Sequence, residues 1–207
     1  MRIVLFGTGS PASIAAYKTL RPRGLVGVVV PGWSLGSARG LLRTLRWTWA
    51  ARAFLVLLAR DRTPWHAYRR VDVDRTVRFL GRLRPDLLCA SAFPYLLPQA
   101  LLQTARLGGL NVHPSVLPAY PGRNPIREAI AAGERGFGVT VHWMDLGADT
   151  GPIIAQEGFE PAHPKDAAEI YALAVERGTA ILGRVVDDLT AGALDVGPSS
   201  SKPKLTE

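Results

Sequence analysis

The chain reads as an α/β protein: a Rossmann-like, mostly parallel twisted sheet with helices on both faces. Two observations predict this. Short apolar, β-rich runs alternate with longer helix-like segments along most of the sequence. The first such run, Arg2–Phe6, enters a glycine-rich turn, Gly7-Thr-Gly-Ser, that opens directly into a helical stretch. With 207 residues the chain can bury one sizeable core. We therefore expect one domain over residues 1–192, carrying a basic insert at 31–72, followed by a flexible tail at 193–207.

Each element has a local reason. Arg2–Phe6 is a strand, and Pro11 favours a helix start that runs to Leu20. Leu25–Val30 is a second strand, ended by Pro31-Gly32. Residues 31–72 are rich in Arg and Trp and helical in composition. Asp74–Arg84 is an amphipathic helix, with Val77, Leu80 and Leu83 near one face, and Pro85 stops it. Leu87–Ala92 is a buried strand, Pro98–Thr104 a short helix and Leu110–Val112 a strand. Asn124–Ala132 is a helix, Val139–Met144 alternates as a strand should, and Pro152–Glu157 is another strand. A last helix covers about Lys165 to Leu189. The tail is polar and broken by proline.

Composition narrows the class. Hydrophobic residues make up 47% and charged residues 20%, as in a soluble globular protein. No run reaches the roughly 18 apolar residues of a membrane span; the nearest, Trp47–Ala59, is interrupted by Arg52. A cytoplasmic location is expected. The single cysteine, Cys89, has no disulfide partner and no metal-ligand spacing, and it reads as an inert strand thiol. The net charge of +8 favours anionic partners without choosing among them.

The chemistry concentrates between Asn111 and Gln156. In Asn111-Val-His113 two side chains share one face of an extended segment. An amide and an imidazole there can hold a carbonyl oxygen and stabilise the oxyanion formed when the carbonyl is attacked. Pro114, Pro118, Pro121 and Gly122 then constrain the chain. Asp149, in Leu-Gly-Ala-Asp-Thr-Gly-Pro, sits in a turn from which its carboxylate can reach the imidazole. Taken singly, each residue also fits a plainer role: Asn and Asp are common turn formers, and His142, alternating into a strand, reads as a hydrogen-bonded structural histidine.

The whole stretch Asn111-Val-His113-Pro-Ser-Val-Leu-Pro-Ala-Tyr-Pro-Gly resembles the Asn-x-His motif of the folate-dependent formyltransferases. Met144-Asp-Leu-Gly-Ala-Asp149-Thr-Gly is similar to that family's second motif, at a fitting spacing. The resemblance covers Met1 to about Gly192 and is strong from about Leu87 to Gln156. It implies a transfer of a formyl group from 10-formyltetrahydrofolate to a primary amine. Asn111 would hold the formyl oxygen, His113 would stabilise the oxyanion, and Asp149 would orient His113 and relay protons. Phe93, Tyr95, Leu96 and Leu97 would line the folate pocket, with Met144, Leu146 and Gly147 on its other side; ordinary core packing is the alternative for Phe93 and Leu97. The turn Gly7, Thr8, Gly9, Ser10, together with Ser115, Gly122 and Arg123, would meet the acceptor.

The acceptor is less determined. The ribonucleotide-formylating branch has a Gly-Ser-Asn phosphate grip where this chain has Gly9-Ser10-Pro11, and proline lacks a backbone donor. A glutamate that this branch carries in its last helix falls at Gly178. Both features argue against that acceptor, while Phe6-Gly-Thr, Asn124-Pro-Ile, the second motif from Met144 and the last-helix run from Ile170 resemble the branches that take a methionyl-tRNA-like or amino-sugar-like amine. Residues 38–70 hold eight arginines against one acid, Asp61, with Trp47, Trp49 and Trp65 interleaved. Nucleic acid, an anionic surface and packing on the protein's own core are all open for that insert. A formyltetrahydrofolate hydrolase and a non-catalytic binding module are the alternative functions.

Overall fold

The computed structural model describes residues 1–32 and 52–194. The expectations for Arg39, Arg43, Arg46, Trp47 and Trp49, and for the tail beyond 194, lie outside the described residues.

A seven-stranded sheet runs in the order β3-β2-β1-β4-β5-β6-β7. β1 (Ile3–Gly7), β2 (Leu25–Pro31), β3 (Trp65–Tyr68), β4 (Leu87–Ser91) and β5 (Gly109–His113) are parallel. β6 (Phe137–Trp143) pairs antiparallel with β5, and β7 (Ile153–Phe159) antiparallel with β6. β1 and β4 are buried along their whole length, as strands covered on both faces must be. That is why they read as continuous apolar runs.

One face is covered by α1 (Pro11–Leu20), the helical residues 52–60 (α2) and α6 (Ala167–Ala191). Their core includes Leu5, Tyr17, Phe54, Leu110, Val139 and Ile181. α3 (Val73–Leu83) and the short α4 (Gln99–Leu102) cover the other face, over Phe6, Tyr68, Leu80, Leu88 and Leu101. Each such buried side chain contributes about 1.5–3 kcal/mol. α5 (Pro125–Ala131) packs separately, with Ala129 against Phe137 and Ile170.

Caps set the helix starts. Ser10 accepts from the Ser13 N–H ahead of Pro11, Asp72 accepts from Arg75, and Asp166 accepts from Ala168 and Glu169. Gly24, at φ +96°, lies against the Met1 carbonyl, where no side chain would fit.

The insert differs from its helical expectation. Residues 52–60 are helical, with Phe54 and Leu58 buried. Residues 65–68, however, form an edge strand in register with Val28–Pro31 of β2. Four residues inside an arginine-rich stretch give almost no local strand signal, so this strand is specified by its pairing partner. Cys89 is fully buried in β4 and burial pushes its thiol pKa up, as an inert thiol requires. No helix among the described residues is long and apolar enough to cross a membrane.

Candidate active site

β5 places Asn111 and His113 on the α3 side of the sheet, two residues apart, and its pairing with β6 sets His142 opposite Asn111 and Thr140 opposite His113. Directly paired residues share a face. β6 was expected to alternate, yet every one of its residues is buried. The reason is the chain leaving β5, which folds back over Thr140. Thr140 donates to the Ser115 carbonyl (2.7 Å) and accepts from the Leu117 N–H (3.1 Å). Gln156 on β7 donates to both the Leu117 carbonyl and the Thr140 hydroxyl (2.7 and 2.9 Å). A row across three strands, His113–Thr140–Gln156, therefore anchors the loop.

Asp149 closes the constellation. It lies in a turn at φ +57°, a left-handed conformation that Asp tolerates better than most residues. Its Oδ1 accepts from Asn111 Nδ2 at 2.9 Å, and its Oδ2 accepts from the Gly122 N–H at 2.8 Å. His113 Nδ1 is 3.3 Å from Oδ2, and His142 Nε2 is 3.4 Å from Oδ1. Burial pushes the Asp149 carboxyl up. The His142 contact, the Gly122 N–H and the charges of His113 and His142 together outweigh that and hold it below the usual carboxylate value.

The ring nitrogens have defined partners. His113 Nε2–H donates to the Tyr120 carbonyl at 2.9 Å, so in the imidazolium form Nδ1–H donates to Asp149. His142 Nδ1–H donates to the Trp143 carbonyl at 2.8 Å. Its Nε2 accepts from Asn111 Nδ2 at 3.2 Å when the ring is neutral and can donate to Asp149 when it is protonated. Both Asn111 N–H groups are thus engaged, one by Asp149 and one by His142.

The structure brings Asn111, His113 and Asp149 together and adds His142. That histidine is buried and hydrogen-bonded, as a structural role requires, but it also touches the other members of the cluster. Thr140 and Gln156 were not anticipated. Thr140 shares a strand face with His142, two residues on, but only the overlying loop buries it, while Gln156 stays exposed and reaches that loop from the edge strand.

The flanking residues divide. Phe93 packs edge-on against Phe6, with Tyr95 and Met144 against the same core, and Leu97 is buried there. Leu96 (57% exposed) and Leu146 (60% exposed) stand in solvent. Gly147 N–H donates to Asp145 within the turn. Ser115 donates to the Ala119 carbonyl, Gly122 serves Asp149, and Arg123, exposed, reaches the Pro94 carbonyl at 3.4 Å.

At the carboxyl end of β1, three backbone donors are already occupied. Thr8 N–H donates to the Ser13 hydroxyl (2.9 Å), Ser10 N–H to the Thr8 hydroxyl (3.3 Å), and Ser13 N–H to the Ser10 hydroxyl (3.3 Å). The position taken for a missing glutamate needs correction. Gly178 faces Val112 and Val139 on the α6 side of the sheet, so a side chain there points away from the cluster.

The family model for formyl transferase matches residues 38–186 of this chain. The methionyl-tRNA formyltransferase of Acidithiobacillus ferrooxidans is 39% identical over 122 residues, which cover 59% of this chain and 39% of that protein. The methionyl-tRNA formyltransferase of Trichlorobacter lovleyi is 34% identical over 138 residues, covering 67% and 44%. The chain spans about two fifths of the length of these curated relatives. Among solved structures, glycinamide ribonucleotide transformylase 1 from Symbiobacterium toebii superposes with a TM-score of 0.73 at 22% identity, covering 96% of this chain and 92% of that one. A formyltetrahydrofolate deformylase from Pseudomonas syringae gives 0.72 at 17%, covering 96% and 64%. These two likenesses concern the fold alone.

Proposed function

This chain belongs to the formyl transferase family, and from that premise we propose that it moves a formyl group from 10-formyltetrahydrofolate to a primary amine. The observation that carries the reading is one carboxylate, Asp149, in contact with Asn111, His113 and the Gly122 N–H at the carboxyl end of β5. Ligands of open α/β sheets bind at that end.

When bound, 10-formyltetrahydrofolate supplies a formyl carbon attached to an amine nitrogen, beside a flat ring. The exposed Leu96 and Leu146, on segments packed into one core through Leu97 and Met144, suit the face of such a ring. Asn111 gives the formyl oxygen one N–H. It gives up the 3.2 Å contact to His142 for this and keeps the 2.9 Å bond to Asp149, which fixes the amide's orientation. His113, held by Asp149 and the Tyr120 carbonyl, stabilises the negative charge that develops on that oxygen. Asp149 stays ionised through neutral pH, holds both side chains in register and conducts the attacking amine's proton toward the departing nitrogen. With a donor bound, Asn111 and His113 would hold the formyl oxygen while the carbon exchanges the donor nitrogen for the acceptor nitrogen, and the proton lost by the acceptor amine would be the one the departing nitrogen gains.

An amine carried on tRNA or on a sugar is the favoured acceptor. The relatives at 34–39% identity support it. So does the turn after β1, where Pro11 offers no N–H and the Thr8, Ser10 and Ser13 N–H groups are already engaged. The argument from the last helix lapses with the orientation of Gly178.

The test is titration of 10-formyl-5,8-dideazafolate into the protein, followed by absorbance during deformylation with a panel of amines. Amine-dependent deformylation is expected. Release of formate without an amine would make the protein a hydrolase, and no binding of the analogue would leave a non-catalytic module.

A further inference from the structure

We infer that the arginine face of α3 is a docking surface for a nucleic-acid backbone. The helix buries Thr76 and Leu80 and leaves Arg75, Arg78 and Arg82 exposed. These positions fall on one side of the helix, separated along its axis by about 4.5 and about 6 Å. Arg84, just past the helix end, and Arg2, at the start of β1, continue the row.

The arginines border two adjoining hollows. One, of about 860 Å³, is lined by Arg2, Arg78, Gly81, Arg82 and Arg84. The other, of about 270 Å³, is lined by His66, Arg75, Arg78, Phe79 and Arg82. Among the described residues no carboxylate lines either one. Arg75 pairs with Asp72, and Arg2 Nε donates to the Leu83 carbonyl. Among the described residues Arg78, Arg82 and Arg84 make no ion pair. Like charges at this spacing repel one another, and a linear array of phosphates relieves that repulsion.

The lining chooses among anionic partners. A protein interface needs an apolar centre, and a membrane-bound helix needs an apolar face turned to the lipid. The large apolar side chain here, Phe79, is instead stacked on His66 with ring centroids 5.2 Å apart. Guanidinium groups beside an aromatic stack are what a nucleic-acid strand uses. The position also fits. α3 lies on the face of the sheet that carries Asn111 and His113, and it runs from the carboxyl end of β3 to the amino end of β4. A strand bound along it extends from the site end of the sheet to the far end.

The test is fluorescence anisotropy with a labelled RNA hairpin of about 20 nucleotides and a DNA hairpin of the same sequence, between about 50 and 200 mM salt. The full chain is compared with the triple variant Arg75→Gln, Arg78→Gln, Arg82→Gln. We expect at least about tenfold weaker binding of one or both hairpins at the low-salt end. The slope of log affinity against log salt should also become shallower by about 2 to 3, the share of three phosphate contacts. All three side chains are exposed, so the melting temperature should not move. Equal binding by the variant would overturn the inference. So would capture of the wild type by phosphatidylserine-containing vesicles, lost in the variant, with neither hairpin bound. The surface stands apart from the chemistry: His113→Ala should bind the hairpins as wild type does. Failure of the folate analogue to bind, with hairpin binding intact, would defeat the proposed reaction alone.

Discussion

The loops leaving β1 and β5 both stand at the carboxyl end of the sheet, yet they are fastened in opposite ways. The turn after β1 is held by neutral hydroxyls. Ser13 accepts from Thr8 N–H and donates to the Ser91 carbonyl, and Ser10 caps α1. The loop after β5 is held at its base by Thr140 and Gln156, but its far end is fixed by the Asp149 carboxylate, on the Gly122 N–H, and the His113 imidazole, on the Tyr120 carbonyl. A hydroxyl network fixes geometry and holds no charge near neutral pH. A carboxylate–imidazole network fixes geometry and can also move protons. The first loop therefore reads as scaffold and the second as chemistry.

The sharpest way to break that comparison is at the charged end. His113→Ala and Asp149→Asn should each lower amine-dependent deformylation by about 10²–10⁴-fold, measured as turnover with saturating donor analogue. Asn suits the left-handed backbone at 149. However, it turns one acceptor oxygen into an N–H that faces donors already present. Retained turnover in either variant would return the second loop to the scaffold class.

Gln156→Leu probes the base of the same loop. It removes the bonds to Leu117 and Thr140 and should cost about 0.5–1.5 kcal/mol in chemical denaturation. We expect a loss of roughly tenfold in kcat with the donor-analogue Kd little changed, since the catalytic groups would be displaced and not removed. Ser13→Ala is the matched change in the other loop. It should destabilise by a similar amount, about 1 kcal/mol, while kcat stays within about twofold. A fall in kcat comparable to that of Gln156→Leu would erase the distinction between the loops.

The smallest effect is in acid. Asp149 has a lowered carboxyl pKa in the folded protein, so the unfolded chain binds its proton first as pH falls. Its stabilisation is fully present above the ordinary value of 3.8 and is lost as pH falls through the lower folded value. The stability gap between wild type and Asp149→Asn should accordingly be constant from neutral pH to about 5 and close only in stronger acid. A gap that closed well above pH 5 would show that the Asp149 carboxylate is not its source.

Much of this was legible in the sequence because it is locally encoded. Buried central strands announce themselves as apolar runs, and Ser10-Pro11 marks a helix start. Asn111 and His113 were found through their shared strand face. What stayed hidden depends on partners distant in sequence. The β3 strand exists through its register with β2. Thr140 looks like the wet side of a strand until residues 114–122 are laid over it. The occupancy of both Asn111 N–H groups is a property of three segments at once, and no spacing rule encodes it.

Cys89 has one further consequence. It is the chain's sole sulfhydryl, fully buried on a strand flanked by β1 and β5, and burial keeps it protonated. Alkylating reagents can reach it only when the middle of the sheet comes apart. Its labelling rate in native buffer is therefore a clock for global opening, and in a large excess of reagent, where labelling outpaces reclosing, it yields the opening rate itself. Any variant made at the sheet's rim can be timed against that clock without an added probe.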